Sequence, residues 1–208
     1  MERTPSTRMN LLRAARRLDR VTHGVGLLRR KREALVAELF GMARPAADAR
    51  AAIATAAARA YPALLAALGL HGGAGVRAIG WPARDLTVEL EPGAVWGIAV
   101  SRITARPPLV RTLAARGAAP GLTGPGAAAA TVGFERLADL LLDAAPREML
   151  IRRLGEALAQ TSRQVNTLER RLAPALRAAV TGMRRTLDER EREERLRLKH
   201  LKSSRDRG

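Results

Sequence analysis

The chain has 208 residues, of which 47% are hydrophobic but only 2% aromatic, too few large rings to anchor a thick multilayer core. It contains no cysteine, which excludes disulfides, thiolate zinc sites and cysteine nucleophiles. Its formal net charge of +17 points to an anionic partner: nucleic acid, acidic lipid or an acidic protein surface.

Residues 9–61 follow a helical period. Leu11, Ala14, Leu18, Val21, Val25, Leu28, Arg32, Leu35, Leu39, Met42, Ala46, Ala49, Ile53, Ala56 and Ala60 recur at alternating steps of three and four, a heptad seam with one charged interruption at Arg32. Arg16, Arg17, Arg29, Arg30 and Lys31 fall between seam positions, on the outer face. A seam one stripe wide calls for one main partner. Ser6 or Thr7 can cap the helix start. Pro45 lies inside the pattern and predicts a kink or a split there. Pro62, Gly69 and the Gly72-Gly73 pair predict the end of the helix.

The composition then changes. Leu86–Glu91 and Val95–Ile103 read as two short strands, with the turn expected at Pro92-Gly93. Residues 104–132 are rich in Gly, Pro and Ala and predict a loop. A second stripe follows: Ile151, Leu154, Leu158, Thr161, Val165, Leu168, Leu172, Leu176, Val180, Met183 and Leu187, continuing to Leu198 and Leu201. Its steps of 4, 4 and 3 from Leu172 to Met183 break the strict heptad, a stutter that relaxes a supercoil. Pro174 predicts a bend in the same stretch. Over 188–197, Asp188–Arg192, Glu191–Arg195 and Glu193–Arg197 are i,i+4 pairs in the favourable order.

The fold expected is mainly α. Residues 1–66 and 133–208 form the two long helices of an antiparallel coiled coil, and residues 67–132 a small central head with a β-hairpin at about 86–103. The simplest way to bury two single stripes is against each other, and one chain that supplies both through a head must run them antiparallel. At 1.5 Å per residue each helix would reach about 80 Å.

The charge follows the same division. Residues 1–44 carry a net +7, residues 147–208 carry +8, and the 102 residues between them +2. No uninterrupted apolar run reaches the roughly 18 residues of a membrane span, and Met1 to Leu12 lacks an apolar signal core. The expectation is a soluble intracellular protein without direct membrane insertion.

No catalytic constellation emerges, so no catalytic, cofactor-binding or metal-binding residue is assigned. His23, His71 and His200 are scattered, without metal-ligand spacing. The run His71-Gly-Gly-Ala-Gly-Val lacks a phosphate-loop pattern, and no Lys occurs between residues 32 and 198. Glu135, Asp139 and Asp143 share one helix face at i, i+4 and i+8, a spacing read as a solvated acidic stripe before a cation site.

Several segments carry a family resemblance. Thr7-Arg-Met-Asn-Leu-Leu and Gly26-Leu-Leu-Arg-Arg-Lys-Arg-Glu-Ala-Leu35 resemble the opening of the D subunit of V/A-type ATPases. Val165-Asn-Thr-Leu-Glu169 with Pro174 beyond it, and Glu189-Arg-Glu-Arg-Glu193 with Arg197-Leu-Lys199, are similar to that family's closing half. Val95-Trp-Gly and Val100-Ser-Arg-Ile103 stand where the family has a hairpin. The likeness spans the chain outside residues 104–132. Departures are Ser6 between Pro5 and Thr7, Glu33 for Asp, Ser101 for Pro and Leu196 for an aromatic residue.

The resemblance implies a non-catalytic rotor subunit of the central stalk, without a cofactor. Its implied partners are the A and B subunits of the catalytic hexamer, the small F subunit of the central stalk and the adaptor of the membrane ring. Its implied place is the cytoplasmic side of the membrane, as a peripheral part of the complex. From the residues alone, a basic coiled coil that binds nucleic acid is the competing class. The alternation of Glu and Arg over 188–197 dilutes a DNA-binding stripe, and the low aromatic content argues against base stacking. An enzyme would need an assembled acid, base or nucleophile that the sequence does not offer.

Overall fold

A computed structural model describes residues 5–80, 86–112, 115 and 120–205. In chain order the elements are α1 (Arg8–Ile79), β1 (Glu89–Val95), β2 (Ile98–Ala105), α2 (Pro120–Thr167), a π-helical turn (Leu168–Leu172) and α3 (Ala173–Arg205). The chain divides into two compact units. One holds residues 1–34 and 158–208, and the other residues 35–157.

In the unit that holds both ends of the chain, α1 pairs antiparallel with the π-helical turn and α3, as the contacts Arg8–Glu191 and Arg29–Glu169 fix. Thr7 is the cap, its Oγ1 accepting from the Asn10 N–H at 3.2 Å. The core is a thin seam of Val25, Thr161, Val165, Ala173 and Val180. Along α1 the seam read from the sequence is realised from Leu11 to Ala60. All fifteen of its positions are buried or half-buried, Arg32 included, while Arg16, Arg17, Arg29, Arg30 and Lys31 are exposed. The second stripe is equally clear from Ile151 to Leu187. It does not extend to Leu198, which is 65% exposed. The side chain of Leu201 lies outside the described residues.

In the other unit α1 and α2 are again antiparallel: Arg50 meets Glu148, and Ala60 meets Gly133. Small residues dominate this contact. Ala46, Ala60, Ala67, Ala127, Ala130 and Ala144 are buried with Leu35, Leu137 and Leu154. Small side chains let two helices approach closely. A Cβ on Gly133 would lie 3.0 Å from the Ala60 Cβ and 3.2 Å from its Cα. Tyr61 and Phe134 meet edge to face, with centroids 5.3 Å apart and planes at 79°.

Several local expectations are revised. Pro45 and Pro62 do not split α1. The one residue off helical dihedrals is Gly72, at φ 65°, ψ 173°, a region open to glycine. Gly69 lies within the helix, but at Gly72 the helix is interrupted, as the Gly72-Gly73 pair predicted, and a second helical stretch carries on beyond the kink to Ile79. The stretch expected as a loop is irregular only in part: from Pro120 it is helix, broken at Gly124 (φ 58°, ψ 158°). The alanines 127–130 are strong helix formers, which outweighed the Gly and Pro count.

The hairpin turns at Trp96-Gly97 instead of Pro92-Gly93. Pro92 faces Ser101 and Gly93 faces Val100 within the ladder. Both turn residues have positive φ, 52° and 77°, as a two-residue hairpin turn of type I′ requires. Pro92 is tolerated because both strands of a two-stranded sheet are edges. At Pro174 the helix widens into a π-helical turn just ahead of the proline, with the Ala173 N–H reaching back to the Leu168 carbonyl. Pro174 has no N–H to give Arg170, and its ring crowds that carbonyl. Finally, α1 contains an 18-residue stretch of mean hydropathy 1.4, so by length and composition part of it could cross a membrane. Alanine, which counts as apolar, supplies this without an unbroken run of large side chains.

Candidate functional site

Among the described residues, three ion pairs join α1 to the helices opposite it. In the terminal unit Arg8 Nη2 lies 2.6 Å from Glu191 Oε1, and Arg29 Nε 2.5 Å from Glu169 Oε1. In the other unit Arg50 donates from Nε and Nη2 to the two carboxylate oxygens of Glu148, at 2.6 and 2.7 Å. The paired residue numbers sum to 199, 198 and 198, so the antiparallel register repeats at an interval of three heptads on α1. Of the intrahelical pairs expected over 188–197, Glu191–Arg195 forms at 3.5 Å, placing Glu191 between two arginines.

Each glutamate of these pairs is held below the ordinary carboxylate range. The hydrogen bond from its arginine is the main cause in all three, and each arginine is raised in turn. A carboxyl depressed in the folded chain contributes stability above its unfolded pKa, and that contribution is lost as pH falls through the folded value. The thermal midpoint of the chain is therefore expected to fall on acidification through and below the ordinary carboxylate range. A triple Glu148→Gln, Glu169→Gln, Glu191→Gln variant should show a shallower fall. Circular dichroism melts across the acid range check this, and equal slopes for the two proteins would reject the assignment.

The hairpin is held against α2 by two arginines. Arg153 donates through Nη1 to the Ala99 carbonyl of β2. Arg106, just past β2, reaches Asp139 at 3.0 Å and Asp143 at 2.9 Å through Nη2, and its Nη1 donates to the Asp139 carbonyl at 3.2 Å. Low numbers of β2 lie beside high numbers of α2, so the strand runs antiparallel to the helix. The segment beyond is tied down by the Arg111 N–H donating to Glu135 Oε2 at 3.2 Å and by burial of Leu109.

The acidic face of Glu135, Asp139 and Asp143 is thus solvated only in part: Asp143 is 62% exposed, while Glu135 and Asp139 are half-buried under the chain they bind. It is the dock for the chain leaving β2, and among the described residues no acidic or histidine cluster could hold a metal ion. Sequence reasoning missed this because the arginine that pairs with the acids lies 33 residues upstream of Asp139. The histidines remain apart. His23 and His200 are exposed on α1 and α3, while His71 is half-buried beside the Gly72 break, its Nε2 facing Gly124.

The model of the family described as the ATP synthase D subunit matches residues 10–203. A V-type ATP synthase D subunit from Anaeromyxobacter dehalogenans strain 2CP-C is 37% identical over 204 residues, covering 98% of this chain and 97% of the relative. The V-type ATP synthase D subunit from Thermus thermophilus is 39% identical over 204 residues, covering 97% and 89%. An A-type ATP synthase D subunit from Methanoregula boonei is 29% identical over 198 residues, covering 95% and 94%. A family match across almost the whole chain, on two long helices joined through a hairpin, places this chain in the ATP synthase D subunit family, as a part of a membrane-associated rotary complex.

Proposed function

We propose that this chain is the central-stalk rotor of a V/A-type ATP synthase, carrying torque between the membrane ion-translocating ring and the catalytic hexamer of A and B subunits. The observation that carries this reading is the pairing of α1 with the C-terminal helices through a seam and repeated Arg–Glu contacts. Helices locked in this way cannot slide past one another, the property a torque-bearing pair needs. On this reading residues 1–66 and 133–208 form the shaft. Residues 67–132 form the head, which with the small F subunit meets the adaptor of the membrane ring. The chain itself is non-catalytic, binds no nucleic acid, does not enter the bilayer, and works on the cytoplasmic side. Turning the shaft presents an asymmetric surface to each catalytic site in succession and biases it among open, loose and tight states.

A shaft inside a ring must not bind any one position too tightly. Exposed charges, screened by solvent and salt, suit that task better than unique buried ion pairs. Arg184, Arg185 and Arg192 are exposed and numerous neighbours share their charge. Single Arg184→Ala, Arg185→Ala or Arg192→Ala changes are expected to alter ATP turnover of the reconstituted complex only modestly, whereas removing residues 188–208 should weaken coupling or assembly severely. Rotation and turnover assays on the assembled complex decide it. An abolished turnover from one arginine, with a harmless truncation, would contradict the rotor reading, as would ATP hydrolysis by the purified chain alone.

A further inference from the structure

The cross-helix ion pairs do not count equally along the two strands of the helix pair. From Arg8 to Arg29 there are 21 residues on α1, but from Glu169 to Glu191 there are 22. Where no π-helical turn intervenes, the intervals match: Arg29 to Arg50 and Glu148 to Glu169 are both 21. Twenty-one residues are three heptads, so both ends of the interval face the same seam. One residue more in an ordinary helix would swing Glu191 about 100° around the axis, away from Arg8.

The surplus residue is visible in the seam. From Leu168 to Leu176 the stripe advances by eight residues instead of seven, yet Val165, Ala173 and Val180 are all buried. The π-helical turn Leu168–Leu172 occupies that place, and a π-turn is geometrically one residue inserted into an α-helix. Pro174 stands directly behind it and cannot donate to the Arg170 carbonyl, so the ordinary ladder is already broken at this point.

We propose that the π-helical turn Leu168–Leu172, backed by Pro174, is a register compensator: it absorbs one surplus residue so that the helix beyond it stays in step with α1. The supercoil relaxation that a stutter alone would require is thereby confined to a single turn. Pro174 locates the turn, and the residue count makes it necessary. Deleting Pro174 removes both at once and restores strict alternation, because Leu168, Leu172, Leu176, Val180, Met183 and Leu187 would then follow at steps of 4, 3, 4, 3 and 4.

The absence of native cysteine allows a direct test in the full-length chain. Cysteine pairs are placed at Arg8→Cys with Glu191→Cys, and at Arg29→Cys with Glu169→Cys, and joined by a short bis-maleimide. Both pairs should cross-link in the parent chain, and both should retain their yield when Pro174 is deleted. Deleting Arg17 instead shortens the α1 interval to 20 residues. That variant should lose most of the 8–191 cross-link while keeping 29–169. Loss of the 8–191 cross-link on deleting Pro174 would overturn the proposal, and so would loss of both cross-links or of helicity by circular dichroism. Unchanged 8–191 yield in the Arg17 deletion would overturn it as well, since the register would then not depend on the count.

Discussion

Replacing Leu154 by Ala is expected to destabilise the isolated chain by about 2–5 kcal/mol, the range for deleting a fully buried Leu side chain and leaving part of its cavity open. Leu154 and Leu35 are both 0% exposed and are the two largest side chains so enclosed in the unit of residues 35–157. Most of the other buried positions of that unit are alanines, which have no side-chain length with which to refill a cavity. Leu198→Ala, at a position 65% exposed, should change stability by no more than about 0.5 kcal/mol. Urea unfolding of the three proteins, with the slope held to that of the parent, measures the difference. Equal midpoints for Leu154→Ala and Leu198→Ala would mean that the seam does not carry the stability.

The second large effect concerns space, not cavity. Gly133→Leu should destabilise the chain by about 1–3 kcal/mol, the usual range for overpacking, because even its Cβ would stand 3.2 Å from the Ala60 backbone. The clash is with the Cα and Cβ of a residue inside α1, which cannot swing aside as the tip of a long side chain can. Gly155 is the control, since a Cβ there meets nothing within 4 Å. Gly155→Ala should therefore stabilise by roughly 1 kcal/mol, the ordinary gain of Ala over Gly in a helix. Thermal melts of both variants check the contrast. A melting temperature raised by Gly133→Leu would show that α1 and α2 are not in close contact at this point.

Much of this molecule is legible in its sequence because a heptad is a local code. The fifteen seam positions of α1 and the eleven from Ile151 to Leu187 are buried or half-buried as their spacing requires, and one seam on each of two segments of one chain calls for antiparallel pairing. The hairpin is also legible, though not its turn. Pro92-Gly93 is the stronger turn signal by composition, but the ladder pairs both residues and moves the reversal to Trp96-Gly97. Cross-strand pairing, which no single strand encodes, decides between two such sites. The helical start of α2 is hidden for a different reason: the glycines and prolines of 120–126 mask the helix-forming alanines after them.

The sequence by itself determined the class of the molecule, its two seams, the concentration of positive charge toward both ends of the chain and the place of its irregularity near Pro174. It did so because burial period and net charge depend on residue order alone. Only the tertiary structure decided what that irregularity does, since a stutter can relax a supercoil or open a π-helical turn, and the choice depends on what stands across the helix pair. It also decided that Glu135, Asp139 and Asp143 receive Arg106 and the chain leaving β2. Their spacing shows that three carboxylates share a face. Which cation meets that face is a long-range fact, set by how the hairpin folds back onto α2.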